Sequence, residues 1–405
     1  MEDCRLQVAM QNKIVKRLLP KWRTSLAIFV MAVGSVSIVA KILDSFSGSA
    51  TTTHSPPVIF PSPSQVISTH GSNGTVPEIA SIQAMLPSAK HGYPPANLIY
   101  NVSTLPPFQP NAKLQAVVDN AVSVLRNSGL PTQSLSISLI NLKGQNCCEY
   151  GIYADRTPRF PASVAKMFWM VALQAQIEHG LLSKDVISGQ ELYKMIQKSD
   201  NEPTSRVVDE ITGADSGDRL NDEFLGIWAA KRRWTNRFFE AAGYQNINLS
   251  QKNFPVPALH LQQPEGRDLQ IRGNQSLPIR NYLTTYDTAR LLYEIHAGQS
   301  VSKEASSKME LLLKRDLRPE IWKKEEYNSI EGFLSESLPQ NTYFISKVGW
   351  TSGSRQEAAL IRSADGSVEY ILVIFGDDRA YADDWKIFPK VSRLILDRML
   401  ADAIR

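Results

Sequence analysis

The stretch Ser163–Ile177, SVAKMFWMVALQAQI, is apolar nearly all round. A helix with one apolar stripe can lie on a surface, but one that is greasy on every side has to be surrounded. The rest of the chain must supply that cover, so this is the central helix of a sizeable domain, and 405 residues are ample for one. Two polar side chains interrupt the run in its first turn. Ser163 opens the helix and Lys166 follows at i+3, on the same face. A serine there meets unpaired N–H groups and the positive end of the helix dipole, which favour developing negative charge. A lysine desolvated beside it has its pKa pushed down and can take a proton from the hydroxyl. The pattern alone also fits a serine cap with a lysine that reaches out to water. A second Ser-x-x-Lys, Ser300 to Lys303, lies in a polar stretch.

The flanking segments indicate what covers the helix. Leu114, Val117, Val118, Ala121, Val122 and Leu125 recur at helical spacing before Gly129. LSISLINLKGQNCCEYGIY then reads as two strands around a Lys-Gly-Gln turn. Beyond the central helix most segments to about residue 330 read as helical, with an irregular polar stretch over 249–281. Strand patterns return in TYFISKVGW, RQEAALIRS and SVEYILVIFG, and an amphipathic helix from Asp384 closes the chain. Strands at both ends with helices between predict an α/β domain over 109–405: an antiparallel sheet built from both ends, carrying an all-α inset.

The N-terminal quarter is different. Residues 1–23 carry six basic residues against two acidic, which accounts for the whole formal charge of +4. The basic balance therefore argues nothing about nucleic acid. Thr24–Ala40 holds 17 residues without a charge, the lower limit for a membrane span. The flanking cations put the N-terminus inside and the remainder outside. We read 1–23 as a cytoplasmic tail, 24–43 as a single-pass anchor, and 44–108, rich in Ser, Pro and Thr, as a disordered linker. A cleaved signal peptide is the competing reading. Either way the domain is exported, to the periplasmic side of the cell membrane.

Of the three cysteines, Cys147 and Cys148 are adjacent. Neighbouring cysteines rarely bond each other, so they read as two small apolar residues in a strand. The six histidines show no metal-ligand spacing, and neither a metal nor another cofactor is called for.

Two further motifs stand beside the Ser163 pair. Ser199-Asp200-Asn201 follows a helical stretch; its serine hydroxyl can relay a proton to a leaving nitrogen, and its asparagine amide can hold a substrate amide. Lys347-Val348-Gly349 ends an apolar strand. Gly349 allows close backbone approach, and the N–H of Trp350 can join that of Ser163 as an oxyanion hole. Singly, the two read as a helix end before a new N-cap and a strand ending in a turn. Together, the order Ser-x-x-Lys, Ser-Asp-Asn, Lys-x-Gly resembles the serine β-lactamase and penicillin-binding protein superfamily, most closely the class A enzymes. The resemblance covers roughly residues 110–405. It implies Ser163 as acylated nucleophile, Lys166 as its base, Ser199 as proton relay, and Asn201 and Lys347 as substrate ligands, with Arg355 helping to hold a carboxylate.

The sequence departs from that pattern in three places. Val348 stands where the family has Thr or Ser. Ser163 and Ser199 are only 36 positions apart. The segment 249–281 lacks the family's Glu-x-x-x-Asn, and its only carboxylates are Glu265 and Asp268. Glu265 is the better placed as a deacylation base. The expected function is a membrane-anchored serine hydrolase acylated by β-lactams or D-Ala-D-Ala-like peptides, with slow deacylation. The alternative is a domain that binds or senses cell-wall fragments without hydrolysis. The surviving Ser, Lys and Asn residues favour the enzyme, and the lack of Gly-x-Ser-x-Gly argues against an α/β-hydrolase.

Overall fold

The computed structural model describes residues 97–143, 147–325 and 328–403. The expected tail, anchor and most of the linker lie outside them, as do residues 144–146 of the hairpin turn. No helix among the described residues is long and apolar enough to cross a membrane.

The strands are β1 (Gln109–Pro110), β2 (Leu135–Asn141), β3 (Glu149–Tyr153), β4 (Tyr343–Thr351), β5 (Ser354–Arg362) and β6 (Glu369–Gly376). They form one sheet in the order β1-β3-β2-β6-β5-β4. Both ends of the domain thus meet at the β2–β6 pair, Leu135 opposite Gly376 through Asn141 opposite Tyr370. The expectation of an antiparallel sheet needs one correction. β1 runs parallel to β3, pairing Gln109 with Glu149, so the sheet is mixed. The chain enters along the edge in the direction of β3, and Pro110 is tolerated there because an edge residue need not donate.

Side chains alternate across the sheet. Leu135, Ile137, Leu139, Phe344, Ala359, Ile361, Leu372 and Ile374 share one core with α1 (Ala112–Asn127) and the closing helix α12 (Ile387–Ala403). Ile345, Ala358, Leu360, Ile371, Val373 and Phe375 face the helical inset. At its centre is α2 (Ala165–Glu178), in which eleven of fourteen residues are buried, Lys166 included. Around it stand α3 (Gly189–Gln197), α4 (Asn201–Thr212), α5 (Asp222–Arg232), α6 (Trp234–Glu240), α7 (Gly266–Arg272), α8 (Thr285–His296), α9 (Lys303–Leu313) and α10 (Pro319–Trp322). The short α11 (Arg379–Asp383) precedes α12.

Packing begins before residue 109. Tyr100 is buried against Phe238, Phe239 and Tyr244, and Phe108 against Tyr286 and Tyr293. Two lone aromatics in a Pro- and Ser-rich run are invisible to a periodicity argument, yet each closes part of the core. The cysteine pair also differs from expectation. The sulfurs of Cys147 and Cys148 are bonded to each other at the start of β3.

Candidate active site

Three segments meet at the start of α2. The first is the tight turn Ala162–Val164, which leads straight into α2 and carries Ser163. Ser163 is partly buried, and its hydroxyl has no hydrogen-bond partner among the described residues. Lys166, one turn on, is wholly buried. Its ammonium donates to the carbonyl of Ser199, to the carbonyl of Asp200 at 3.2 Å and to Oδ1 of Asn201 at 2.8 Å. Burial brings its pKa down from the usual lysine range to about 7, against the opposing pull of the Asp200 carboxylate.

The second segment is the break between α3 and α4. Asp200 caps α4, its carboxylate accepting from the N–H of Glu202 at 2.9 Å. Asn201 is the first residue of that helix, and its side chain is held by the Lys166 contact. Ser199 sits in the break with φ +57°, a left-handed conformation that costs a residue with a Cβ roughly 1–3 kcal/mol and persists only where neighbours impose it. The Lys166 contact to its carbonyl is one such neighbour.

The third is β4. Ile345, Lys347 and Gly349 lie on the inset side of the sheet by alternation with Phe344. Lys347 is buried, and its Nζ donates to Oγ of Ser199 at 2.9 Å and to the carbonyl of Val348 at 2.9 Å. Burial, with the nearby cations of Lys166 and Arg315, holds its pKa well below the usual lysine range, and Glu357 acts against them. Gly349 abuts the backbone of the Ser163 turn. A Cβ at 349 would stand 3.1 Å from the Ser163 nitrogen and 2.6 Å from the Pro161 carbonyl. The glycine is required by close approach, and it places the adjoining Trp350 backbone beside Ser163.

Two expected residues are placed differently. Arg355 pairs with Trp350 across β4 and β5, and by alternation its side chain shares the α12 side with Ala359 and Ile361, opposite Lys347 and Gly349. It is buried, and donates to the carbonyls of Tyr381 at 3.0 Å, Gly332 at 3.0 Å and Ala382 at 2.8 Å. Its guanidinium also lies 4.2 Å from the Trp385 ring centroid. This is a structural arginine, and the expectation that it holds a substrate carboxylate is not met by this geometry. Glu265 is exposed at the N-cap of α7, where its side chain caps nothing. The other carboxylate of that segment, Asp268, is buried and engaged by Arg232 at 2.9 Å.

Sequence reasoning missed Arg315 and Glu357, both buried behind the lysines. Arg315 follows a helix in a charged run that reads as solvated. Glu357 breaks the apolar alternation of RQEAALI, which was the available signal. A separate cleft of about 650 Å³, lined by Arg159, Arg233, Asn236, Arg280 and Asp377 among others, includes none of the three segments.

The chain is similar in fold to PBP-A, with a TM-score of 0.50 at 16% identity, covering 74% of this chain and 100% of that one. It is likewise similar to TLA-3 extended-spectrum beta-lactamase, with a TM-score of 0.50 at 11% identity, covering 71% and 99%. No curated protein matches the sequence. Identities this low speak to fold alone, the α/β beta-lactamase/transpeptidase fold with its six-stranded mixed sheet and helical inset. Residues 127–399, well over half of the sequence, match the family described as Beta-lactamase enzyme family, and the chain belongs to it.

Proposed function

We propose that the protein is a serine hydrolase that is acylated at Ser163 by β-lactams or D-Ala-D-Ala-like amides and releases the acyl group slowly. The observation that carries this reading is the 2.9 Å hydrogen bond from Lys347 to Ser199, made beside a Gly349 that lies flush on the Ser163 backbone. Residues 148 positions apart have no structural need to share an amine–hydroxyl bond.

In this reading the buried Lys166 amine takes the Ser163 proton as Oγ attacks the substrate carbonyl. Its pKa near 7 leaves a substantial neutral fraction at neutral pH. The oxyanion forms against the N–H groups of Ser163 and Trp350. Ser199 passes a proton to the leaving nitrogen as the C–N bond breaks. Asn201, whose Oδ1 is held by Lys166, turns its amide nitrogen to a substrate carbonyl. A substrate carboxylate pairs with Lys347 and favours its charged form. Thr351, on the same strand face as Lys347 and Gly349, supplies the hydroxyl that Val348 lacks. Glu265 is too exposed to act as a desolvated base. Without a positioned carboxylate, water attack on the ester loses about 10²- to 10⁴-fold.

The domain works outside the cytoplasm, anchored by residues 24–43; protease accessibility of the full chain in membranes tests that placement. The chemistry is tested by intact mass after incubation with a penicillin. We expect a persistent adduct on Ser163 that Ser163→Ala abolishes. Rapid turnover means an efficient lactamase instead, and absence of any reaction favours a binding or sensing domain.

A further inference from the structure

Two buried charges stand behind the Ser199–Lys347 hydrogen bond, and the chemistry proposed above uses neither. Arg315 follows α9, and its backbone N–H donates to the carbonyl of Phe344 in β4 at 2.9 Å. Its guanidinium reaches in two directions. Nη1 donates to the carbonyl of Gln197 at 3.1 Å and to its side-chain oxygen at 2.7 Å. Nη2 donates to the carbonyl of Ile196 at 3.1 Å and to that of Ser346 at 2.9 Å. Ile196 and Gln197 end α3, where carbonyls have no partner within the helix. Ser199 comes two residues later, and Ser346 immediately precedes Lys347. One planar group therefore binds the backbone just ahead of both partners. Gln197 strengthens the tie by donating to the carbonyl of Lys314 at 2.8 Å. Glu357, one strand over, accepts from the N–H of Leu334 at 2.7 Å.

We infer that Arg315 is a positioning residue that sets the Ser199–Lys347 contact, by clamping the end of α3 to β4. The inference rests on the proposed roles of Ser199 and Lys347. Ser199 occupies a left-handed conformation that needs outside support; Lys166 holds its carbonyl, and Arg315 holds the carbonyls before it. A lysine at 315 would keep the charge but present a point donor, which cannot bridge two segments as a planar fork does. The clamp is also electrostatic. The groups that act on Lys347 are Lys166 from α2, Ser199 from the α3–α4 break, Arg315 after α9 and Glu357 from β5. Arg315 disfavours the charged form of Lys347 and Glu357 favours it.

The test uses the full chain with Arg315→Met, Arg315→Lys and Glu357→Gln. Two quantities are followed: the rate of Ser163 acylation by a fluorescent penicillin as a function of pH, and hydrogen exchange in segments 196–201 and 344–348. Both arginine variants should acylate about 10²-fold more slowly, the effect of a displacement near 1 Å at a reacting centre. Exchange should rise in those two segments together. The Lys347-linked limb of the pH profile should move up in Arg315→Met and down in Glu357→Gln, a split that a merely structural role does not produce. Acylation at the wild-type rate, or reduced only by the unfolded fraction, overturns the inference. Should Arg315→Met not fold, Arg315→Lys, which keeps the charge, carries the rate and exchange comparisons. If the wild type itself does not react, the acylation reading falls and exchange alone decides: faster exchange confined to the two segments supports the clamp, unchanged exchange refutes it.

Discussion

Gly349 and Ser163 are in backbone contact: a Cβ on the glycine would come within 3.1 Å of the serine nitrogen and 2.6 Å of the Pro161 carbonyl. Because the obstructing atoms are main chain, no rotamer change can relieve the clash. Gly349→Ala must push β4 away from the Ser163 turn, separating the two N–H groups that would hold an oxyanion. We predict that this variant folds and acylates about 10²-fold more slowly. Stopped-flow labelling with a penicillin checks it; an unchanged rate means that the Trp350 N–H has no part in the reaction.

Lys166 has its pKa lowered to about 7 by burial, so the neutral amine predominates only above that pH. Acylation should therefore rise as pH passes from below 7 to above it and then level off. Lys166→Met should remove the rise together with about 10²- to 10⁴-fold of the rate. A flat pH profile in the wild type would assign the proton to another base.

Lys347 presents the opposite balance between stability and activity. It is a buried amine whose charged form is disfavoured by burial and by two cations. Replacing such a group with an apolar one of similar length is often neutral or stabilising. Lys347→Met should melt at or above the wild-type temperature while acylating far more slowly. A clear fall in melting temperature would show that the lysine also holds the fold.

Glu265 is exposed and caps nothing. Glu265→Gln should leave the lifetime of the acyl adduct within about two-fold, since a solvated carboxylate gives no base catalysis on the scale of a positioned one. Loss of turnover at the acyl stage in this variant would bring Glu265 into the site after all.

His296 lies at the other end of the sheet, between Glu310 at 3.2 Å and Glu369 at 3.4 Å. Hydrogen bonds to these two carboxylates raise its pKa to about 9, from about 6.5 in an unfolded chain. The raised value means that this contribution is complete below pH ~6.5 and is lost as pH rises to ~9. The carboxylates, held below their usual range, keep their share above their unfolded pKa and lose it in acid. His296→Gln should flatten the alkaline loss of stability measured by denaturant unfolding; an unaltered profile would place the titration elsewhere.

Much of this arrangement was legible in the sequence. The central helix was, because an all-apolar run states its own burial. So was the helix that ends before Gly129, whose apolar residues recur at a spacing set within the element itself. The Ser-Asp-Asn motif was legible as a helix end followed by a new cap, since a cap and the turn that it closes are adjacent in the chain. The meeting of the three motifs was not visible in any one of them; it came from their order and resemblance to a family.

The tertiary structure decided what depends on register and on distant neighbours. Arg355 follows the Lys-x-Gly strand as a carboxylate-binding arginine would, yet its pairing with Trp350 turns it to the far side of the sheet. A shift of one residue in register exchanges the two faces, and local sequence does not set that register. The left-handed turn at Ser199 is held by Lys166, 33 positions earlier, and by the Arg315 clamp, more than 100 later. Tyr100 and Phe108 became core only because α6 and α8 present aromatic rings to them. Sequence periodicity carries contacts between neighbours in one element; the charge balance around Lys347 is made by Lys166, Arg315 and Glu357, three residues far apart in the chain, and exists only once the sheet has closed.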